Sequence, residues 1–347
     1  MYAAVWQIVI CLVVLCGGKA NPGSGLEEIL CITVGAIIYK SVSQSKLRED
    51  LWYSAIRIVV LIQTVLAVFQ YFNLNPIFHL MATVFPISDP GTGQLVGTLG
   101  NRDFLASFIA MSIPMFMGWR TVKINIVRPF WMDNVYPWNF SINPALIIIY
   151  AVLLLMPSPA TLAALVGLFI YYNRGWKFIF IGAGCALIYA IYYILGMGAH
   201  IEEFIRLPEQ ISQFFSVGSI INDPRMADIG RFAMWMTAAG KIISSWTSLI
   251  FGFGPGASWG KAYPLHSEYI QVWFEFGMVG ILFLAAYLRD AFKDLWREKD
   301  MVLFSSLSII CLDMVANFPL HIVTTGCLAT IICGLIERKR LCQKVDL

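Results

Sequence analysis

The sequence is short of charge. Only 13% of its 347 residues are Asp, Glu, Lys or Arg, about half the roughly 25% of an ordinary soluble domain. No long stretch has globular composition, which excludes a separate soluble domain. Metal-binding groups are also sparse: four His and eight Cys, with no CxxC pair and no Cys/His cluster. Cys11, Cys16, Cys31, Cys185, Cys311, Cys327 and Cys333 lie in apolar runs and Cys342 in a basic tail. They read as buried thiols that pack as small hydrophobes, so no metal or other cofactor is expected. The segment from Tyr2 to Cys16 lacks a basic start, and Gly17-Gly18-Lys19 makes a poor cleavage site. It reads as a retained span rather than a secretory signal. No internal repeat is found. A net charge of +3 is uninformative by itself, and no nucleic-acid partner is expected.

What the chain has in quantity is apolar surface: 59% hydrophobic residues and a mean hydropathy of +0.72. A helix crossing the hydrocarbon core needs about 20 mostly apolar residues. Runs of this kind lie at about 2–18, 25–41, 52–71, 103–119, 142–156, 159–173, 178–198, 268–288, 301–317 and 320–336. Run length, and the need to satisfy every backbone amide within its own segment, make them helices. The expectation is a single all-α membrane domain over 1–347 with ten spans. Met156-Pro157-Ser158-Pro159 reads as the tight turn of a helical hairpin.

Placement of the cations sets the orientation. With the N-terminus inside, the cytoplasmic segments hold Lys40, Lys46, Arg48, Arg120, Lys123, Arg128, Arg174, Lys177, Arg289, Lys293, Arg297, Lys299, Arg338, Lys339, Arg340 and Lys344. Those are sixteen of the 24. The outer side holds Lys19, Arg102, Arg206, Arg225, Arg231, Lys241 and Lys261, and Arg57 is intramembrane. Every short loop then obeys the positive-inside rule with both termini cytoplasmic. Five of the outer cations fall in one long loop, 199–267, and long loops escape the rule. Loops of this length in compact proteins tend to be functional. Within it, Phe232, Trp235, Met236, Ala239, Ile242, Ile243 and Trp246 recur at helical spacing, which suggests an interfacial helix over 229–250.

Three stretches at the outer boundary carry candidate chemistry. Gly97-Thr-Leu-Gly-Asn101-Arg102-Asp103 opens the fourth span; it is either a capped helix start with Arg102 snorkelling or an anion site. Arg231 sits on an otherwise apolar helix face ahead of Gly252-Phe-Gly254-Pro-Gly256, placed for a lipid phosphate or a specific phosphate ligand. His266 precedes the eighth span, whose outer end presents Glu268, Gln271 and Glu275 on one face, and polar groups entering a span are expensive. In the ninth span Asp313 and Asn317 are one turn apart. They and Arg57 are either a polar network holding the bundle together or, for Arg57, a group facing a cavity.

Gly97-Thr-Leu-Gly-Asn101, Arg231-x-x-x-Trp235, Gly252-Phe-Gly-Pro-Gly256, His266-Ser-Glu-Tyr-Ile-Gln271 with Glu275-Phe-Gly277-x-x-Gly280, and Asn317-Phe-Pro-Leu-His321 occur in that order. Together they resemble the O-antigen ligase and polymerase superfamily of bacterial membrane glycosyltransferases, over about residues 90–336. The resemblance implies a GT-C-like helical bundle in the inner membrane and a metal-independent enzyme. Such an enzyme takes a glycan from undecaprenyl diphosphate on the periplasmic side. Its acceptor is a hydroxyl on lipid A-core, on another glycan or on a protein. It implies Arg231 and His266 as catalytic residues, with Arg102, Asn101, Trp235, Glu268, Gln271 and Glu275 around the substrate. The family has a second arginine at the outer end of the span that begins Pro157-Ser158-Pro159, and this chain has none there. Arg102, Arg206 or Arg225 takes its place, Arg102 being preferred, or the donor differs, or activity is lost. Ligase is the leading expectation, polymerase the nearest alternative and a transporter of the lipid-linked glycan the alternative from another class.

Overall fold

In a computed structural model, the described residues are 22–72, 74, 95–99, 101–117, 119, 122–125, 139–156, 158–172, 231–258, 265, 267–315, 317, 319–320 and 323–345. They form helices α1 (Pro22–Ser43), α2 (Glu49–Tyr71), α3 (Arg102–Ser112, continued as a 3-10 turn Ile113–Phe116), α4 (Pro144–Leu154), α5 (Pro159–Tyr172), α6 (Arg231–Ile242), α7 (Trp246–Phe251), α8 (Glu268–Glu298), α9 (Met301–Asp313) and α10 (Val323–Val345). A short antiparallel pair, β1 (Val122–Asn125) with β2 (Asn139–Ile142), joins the α3 and α4 regions. Val122-Lys-Ile-Asn125 and Asn139-Phe-Ser-Ile142 each alternate apolar and polar residues, the period of a strand, over only four positions.

Among the described residues two helices, α2 and α8, are long and apolar enough to cross a membrane; they are the third and eighth expected spans. The second, fifth, sixth and ninth lie on apolar helices that are shorter by that measure. The fourth is an 11-residue helix that tightens into 3-10 geometry at Pro114, where the ring removes a backbone donor. The tenth is the apolar part of α10, which continues into the basic tail. The first and seventh, 2–18 and 178–198, lie outside the described residues.

Local chemistry explains the helix starts. Asn101, Asn143, Ser245 and Asp300 each accept a backbone N–H at the head of α3, α4, α7 and α9, as good caps do. The hairpin turn read from Met156 to Pro159 is present. Thr161 Oγ1 donates to the Leu153 and Met156 carbonyls, and Tyr150 donates to the Ala164 carbonyl, so these bonds fix the turn by which α5 leaves α4. On α5, Ala160, Ala163 and Ala164 are buried, and a Cβ on Gly167 would fall 2.3 Å from Ile309. Small residues bring α9 close to α5, as in helix pairs packed without a hydrophobic drive.

The core gathers round α3, where Leu105, Ile109 and Met111 are fully buried with Phe116, Leu153 and Ile309. On α2 apolar residues lie on both faces, with Ile56, Val60 and Ala67 buried. Ile58, Ile62, Val65 and Phe69 form an exposed apolar stripe, while Thr64 and Gln70 are buried. Such continuous apolar exposure is rare on proteins bathed in water.

Arg57 is settled by geometry: its Nε donates to the Met115 carbonyl at 2.6 Å and its guanidinium lies over the Trp119 ring at 5.4 Å. It ties α2 to the 3-10 turn, so it belongs to the polar network rather than to a cavity.

At one end of the bundle Lys339 bridges Glu49 (3.2 Å) and Asp300, and Arg340 pairs with Asp294 (2.6 Å) and Glu337 (2.9 Å). Burial alone would lower the Lys339 ammonium, but Asp300 and Glu49 together hold it above the ordinary lysine value. The stabilisation is therefore complete below that ordinary value and is lost as pH rises through the raised one. Lys339→Met is expected to cost about 1 kcal/mol at pH 7, and the difference from the parent, measured as thermal midpoints, should close in strong alkali.

Candidate functional site

The opposite end of the bundle holds the polar residues singled out in the sequence. α8 begins there because Ser267 is extended and the Glu268 N–H donates to the Met314 and Asn317 carbonyls, both at 2.9 Å. Glu268 Oε2 in turn accepts the Leu320 N–H at 3.0 Å. The start of α8 is thus pinned to the turn after α9, and backbone donors that would otherwise be orphaned are met. Glu268, Gln271 and Glu275 follow at helical spacing, all with no exposed surface. Both amide atoms of Gln271 are buried without a hydrogen-bond partner among the described residues, a cost that natural interiors rarely leave standing.

The glycine loop meets this face. Ser258 Oγ donates to Glu275 Oε1 at 2.6 Å, and the N–H groups of Phe253 and Gly254 donate to the Phe274 and Glu275 carbonyls at 2.9 and 3.0 Å. Those two carbonyls lie just before a kink at Gly277, whose φ of 64° breaks the helix. Gly252 (φ 75°) faces it: a Cβ there would sit 2.4 Å from the Glu275 carbonyl, and one on Gly277 would sit 2.3 Å from the Ile250 carbonyl. Two backbones touch, and both positions need the left-handed region that favours glycine.

The amphipathic stretch is two helices rather than one. Ser245 caps a new start by accepting the Ser248 N–H, so α6 ends at Ile242 and α7 begins at Trp246. Ala238, Ile242 and Ser248 face inward, and Ile243 and Trp246 outward at 65% and 79% exposure. Trp235 on α6 donates its indole N–H to the Leu265 carbonyl at 2.6 Å. That bond joins the helix opened by Arg231 to the residue before His266. The side chain of Arg231, and His266, Arg206 and Arg225, lie outside the described residues.

Asn101 caps α3 by accepting the Asp103 N–H at 2.8 Å, so it serves the helix start. Arg102 beside it is exposed and has no ion pair among the described residues. The Asp313–Asn317 pair is present, Asn317 Nδ2 donating to Asp313 Oδ1 at 2.7 Å. Ser107 faces this carboxylate, and Asp103 and Glu268 lie within electrostatic reach of it. The α3, α8 and α9 ends therefore share one polar region. Sequence reasoning passed over Gln63 and Gln70, which clasp the Gly97 turn: Gln70 Oε1 accepts the Val96 and Gly97 N–H groups and Gln63 Oε1 accepts that of Thr98. Their signal was two glutamines one heptad apart in an apolar span. Ser258, within the long loop, carried none.

No family model matches the chain, and no curated protein matches it. Among the described residues, no three His, Cys, Asp or Glu side chains are grouped so as to hold a metal ion.

Glu268, Gln271 and Glu275 thus place two carboxylates and an amide on one buried face, bonded to Ser258 and to the Leu320 N–H. Trp235→Phe keeps an aromatic group but loses the indole N–H donor to Leu265 and part of the ring volume, and is expected to cost about 1–2 kcal/mol of stability, read as a lowered thermal midpoint in detergent.

Proposed function

We propose that the chain is a multi-pass protein of the bacterial inner membrane with both termini cytoplasmic. In this proposal it transfers a glycan from an undecaprenyl-diphosphate-linked donor to an acceptor hydroxyl at the periplasmic face, as an O-antigen ligase does. The observation that carries the proposal is the Trp235–Leu265 hydrogen bond. It holds the helix headed by Arg231 against the segment leading to His266, though 30 residues separate its two partners. The membrane setting is supported by the exposed apolar stripe of α2. It is supported too by the separation of the Glu49–Asp300–Lys339 cluster, drawn from expected cytoplasmic segments, from the polar region at the start of α8.

The chemistry follows from charge. The diphosphate leaving group gathers negative charge as the glycosidic bond breaks, and a guanidinium supplies bidentate donors there. The acceptor hydroxyl must lose a proton near neutral pH, which an imidazole can take. Buried carboxylate and amide groups at Glu268, Gln271 and Glu275 suit recognition of sugar hydroxyls.

The test is product formation by detergent-solubilised full chain given lipid-linked donor and acceptor. A transferase makes product without any compartment; a transporter makes none. The surface glycan of a deletion strain then separates the two transferases. Accumulated lipid-linked polymer means a ligase, and single unpolymerised units mean a polymerase of the same superfamily.

A further inference from the structure

Toward its C-terminal end α8 carries its charges in two rows. The helix has 31 residues, about 46 Å at 1.5 Å per residue, against a hydrocarbon core of about 30 Å. With its start at one boundary, the segment from Arg289 to Glu298 lies at or beyond the other. There Arg289, Lys293 and Arg297 are each followed by an acid, Asp290, Asp294 and Glu298. Spacing by four stacks each set on its own face of the helix. The structure turns the two faces apart. The side chains of Arg289 and Arg297 are 75% and 65% exposed, those of Asp290 and Asp294 only 24% and 16%. Asp294 is held by Arg340 on α10 at 2.6 Å. Arg289 pairs with Asp290 at 2.9 Å and Arg297 with Asp294 at 3.6 Å, contacts that contribute little where the cation is in solvent. Lys293 is exposed and has no ion pair among the described residues.

The basic face continues an apolar one. Met278, Leu282 and Ala285 are exposed, and with Arg289, Lys293 and Trp296 they fall within about a quarter turn at 3.6 residues per turn. Trp296 is 59% exposed, its ring braced against Phe304 at 5.7 Å. Helical side chains lean toward the N-terminus, which here is back toward the bilayer. One outward face of α8 thus passes from apolar side chains to two cations and an indole, the order in which a lipid runs from acyl chain to headgroup. The helix dipole accounts for Arg297 in the last turn but fades before Lys293 and Arg289. An acidic soluble partner would match the cations and leave the apolar half of the face uncovered. We infer that Arg289, Lys293 and Trp296 bind the phosphate headgroup of an anionic phospholipid, in the leaflet at the C-terminal end of α8, with its acyl chains along Met278, Leu282 and Ala285. Cations beside a bilayer attract anionic lipids, and the indole N–H is a further donor. The inference rests on the membrane setting proposed above and not on glycan transfer.

The test places the full chain in phosphatidylcholine nanodiscs containing one of two photoactivatable lipids, a phosphatidylglycerol or a phosphatidylcholine, with the diazirine at the same position near the glycerol. Labelled residues are located by mass spectrometry, and the α2 stripe serves as the internal reference. Relative to that stripe, labelling of 278–296 should be at least about fivefold stronger with phosphatidylglycerol, and the preference should shrink in about 1 M salt. Arg289→Gln combined with Lys293→Gln should bring it below about twofold; both side chains are exposed, and thermal midpoints check the fold. Lys40→Gln combined with Lys46→Gln removes the same charge from exposed positions at and after the end of α1 and should leave the preference unchanged. If the α8 variant does not fold, the lipid preference of the parent and its salt dependence decide. Equal labelling of the α8 face by the two lipids, or an equal loss in both double variants, would overturn the assignment and leave the cations as a solvated face. Labelling of neither the α8 face nor the α2 stripe by either lipid would overturn the membrane setting itself. Glycan transfer, assayed on the same sample, fails or succeeds independently of these readouts.

Discussion

Arg231→Ala and His266→Ala are each expected to lower glycan transfer about 100- to 1000-fold, the usual effect of removing one preorganised electrostatic group from a site where charge develops. The two losses should differ in kind. In the proposed mechanism the arginine acts on the leaving diphosphate, so Arg231→Lys restores charge without the planar fork and should recover only part of the rate. In the same proposal the histidine takes the acceptor proton, so activity should fall at low pH in the parent and lose that dependence in His266→Ala. The double variant should be little worse than either single one, since groups serving one transition state are not additive. Product is quantified from lipid-linked donor with solubilised protein, beside thermal midpoints to show that both variants fold. Full activity in His266→Ala would remove that residue from the mechanism.

The second large effect is structural. Gly277→Ala is expected to destabilise the protein by about 3 kcal/mol or more, adding backbone strain at a left-handed φ to an overpacked contact. The new Cβ would lie 2.3 Å from the Ile250 carbonyl oxygen and 2.6 Å from the Gly252 nitrogen, backbone atoms that have no rotamer to escape into. Gly252→Ala meets the same contact from the other side, at 2.4 Å from the Glu275 carbonyl. The two losses should therefore be less than additive in the double variant. Gly240→Ala is the control: within α6, with nothing inside 4 Å of its Cβ, it should gain about 1 kcal/mol from helix propensity. Thermal midpoints of the four variants and the parent in one detergent check this, and a Gly277→Ala chain as stable as the parent would rule out the backbone contact. Because the first two turns of α8 carry Glu268, Gln271 and Glu275, loss of that contact should also lower transfer.

Features that depend on a few neighbouring residues were legible. Asn101 does cap α3, Met156–Pro159 does turn a hairpin, and the apolar runs at 52–71 and 268–288 are long helices. The continuous helix expected over 229–250 failed at a local detail: Ser245 offers its own oxygen to the Ser248 N–H and starts a second helix. The β1–β2 pair was missed because each strand alternates apolar and polar residues over only four positions, at the lower limit of a readable strand period. Gly252 and Gly277 were noticed only as places where backbone turns or approaches something; which backbone approaches which was not readable.

From sequence alone came the apolar, helix-forming character of the chain, the ends of many of its helices and the sidedness implied by its cations. Those follow from solvent transfer and from hydrogen bonds spanning three or four residues, which composition and spacing encode directly. Tertiary structure alone decided that Ser258 meets Glu275, that Gln70 holds the Gly97 turn, that Trp235 reaches Leu265, and that Asp294 on α8 turns to Arg340 on α10 while Arg289 faces outward. Each depends on closing loops of 17 to 30 residues or on how several helix faces fit. Their energies are settled by packing over many residues at once, and no local pattern records them.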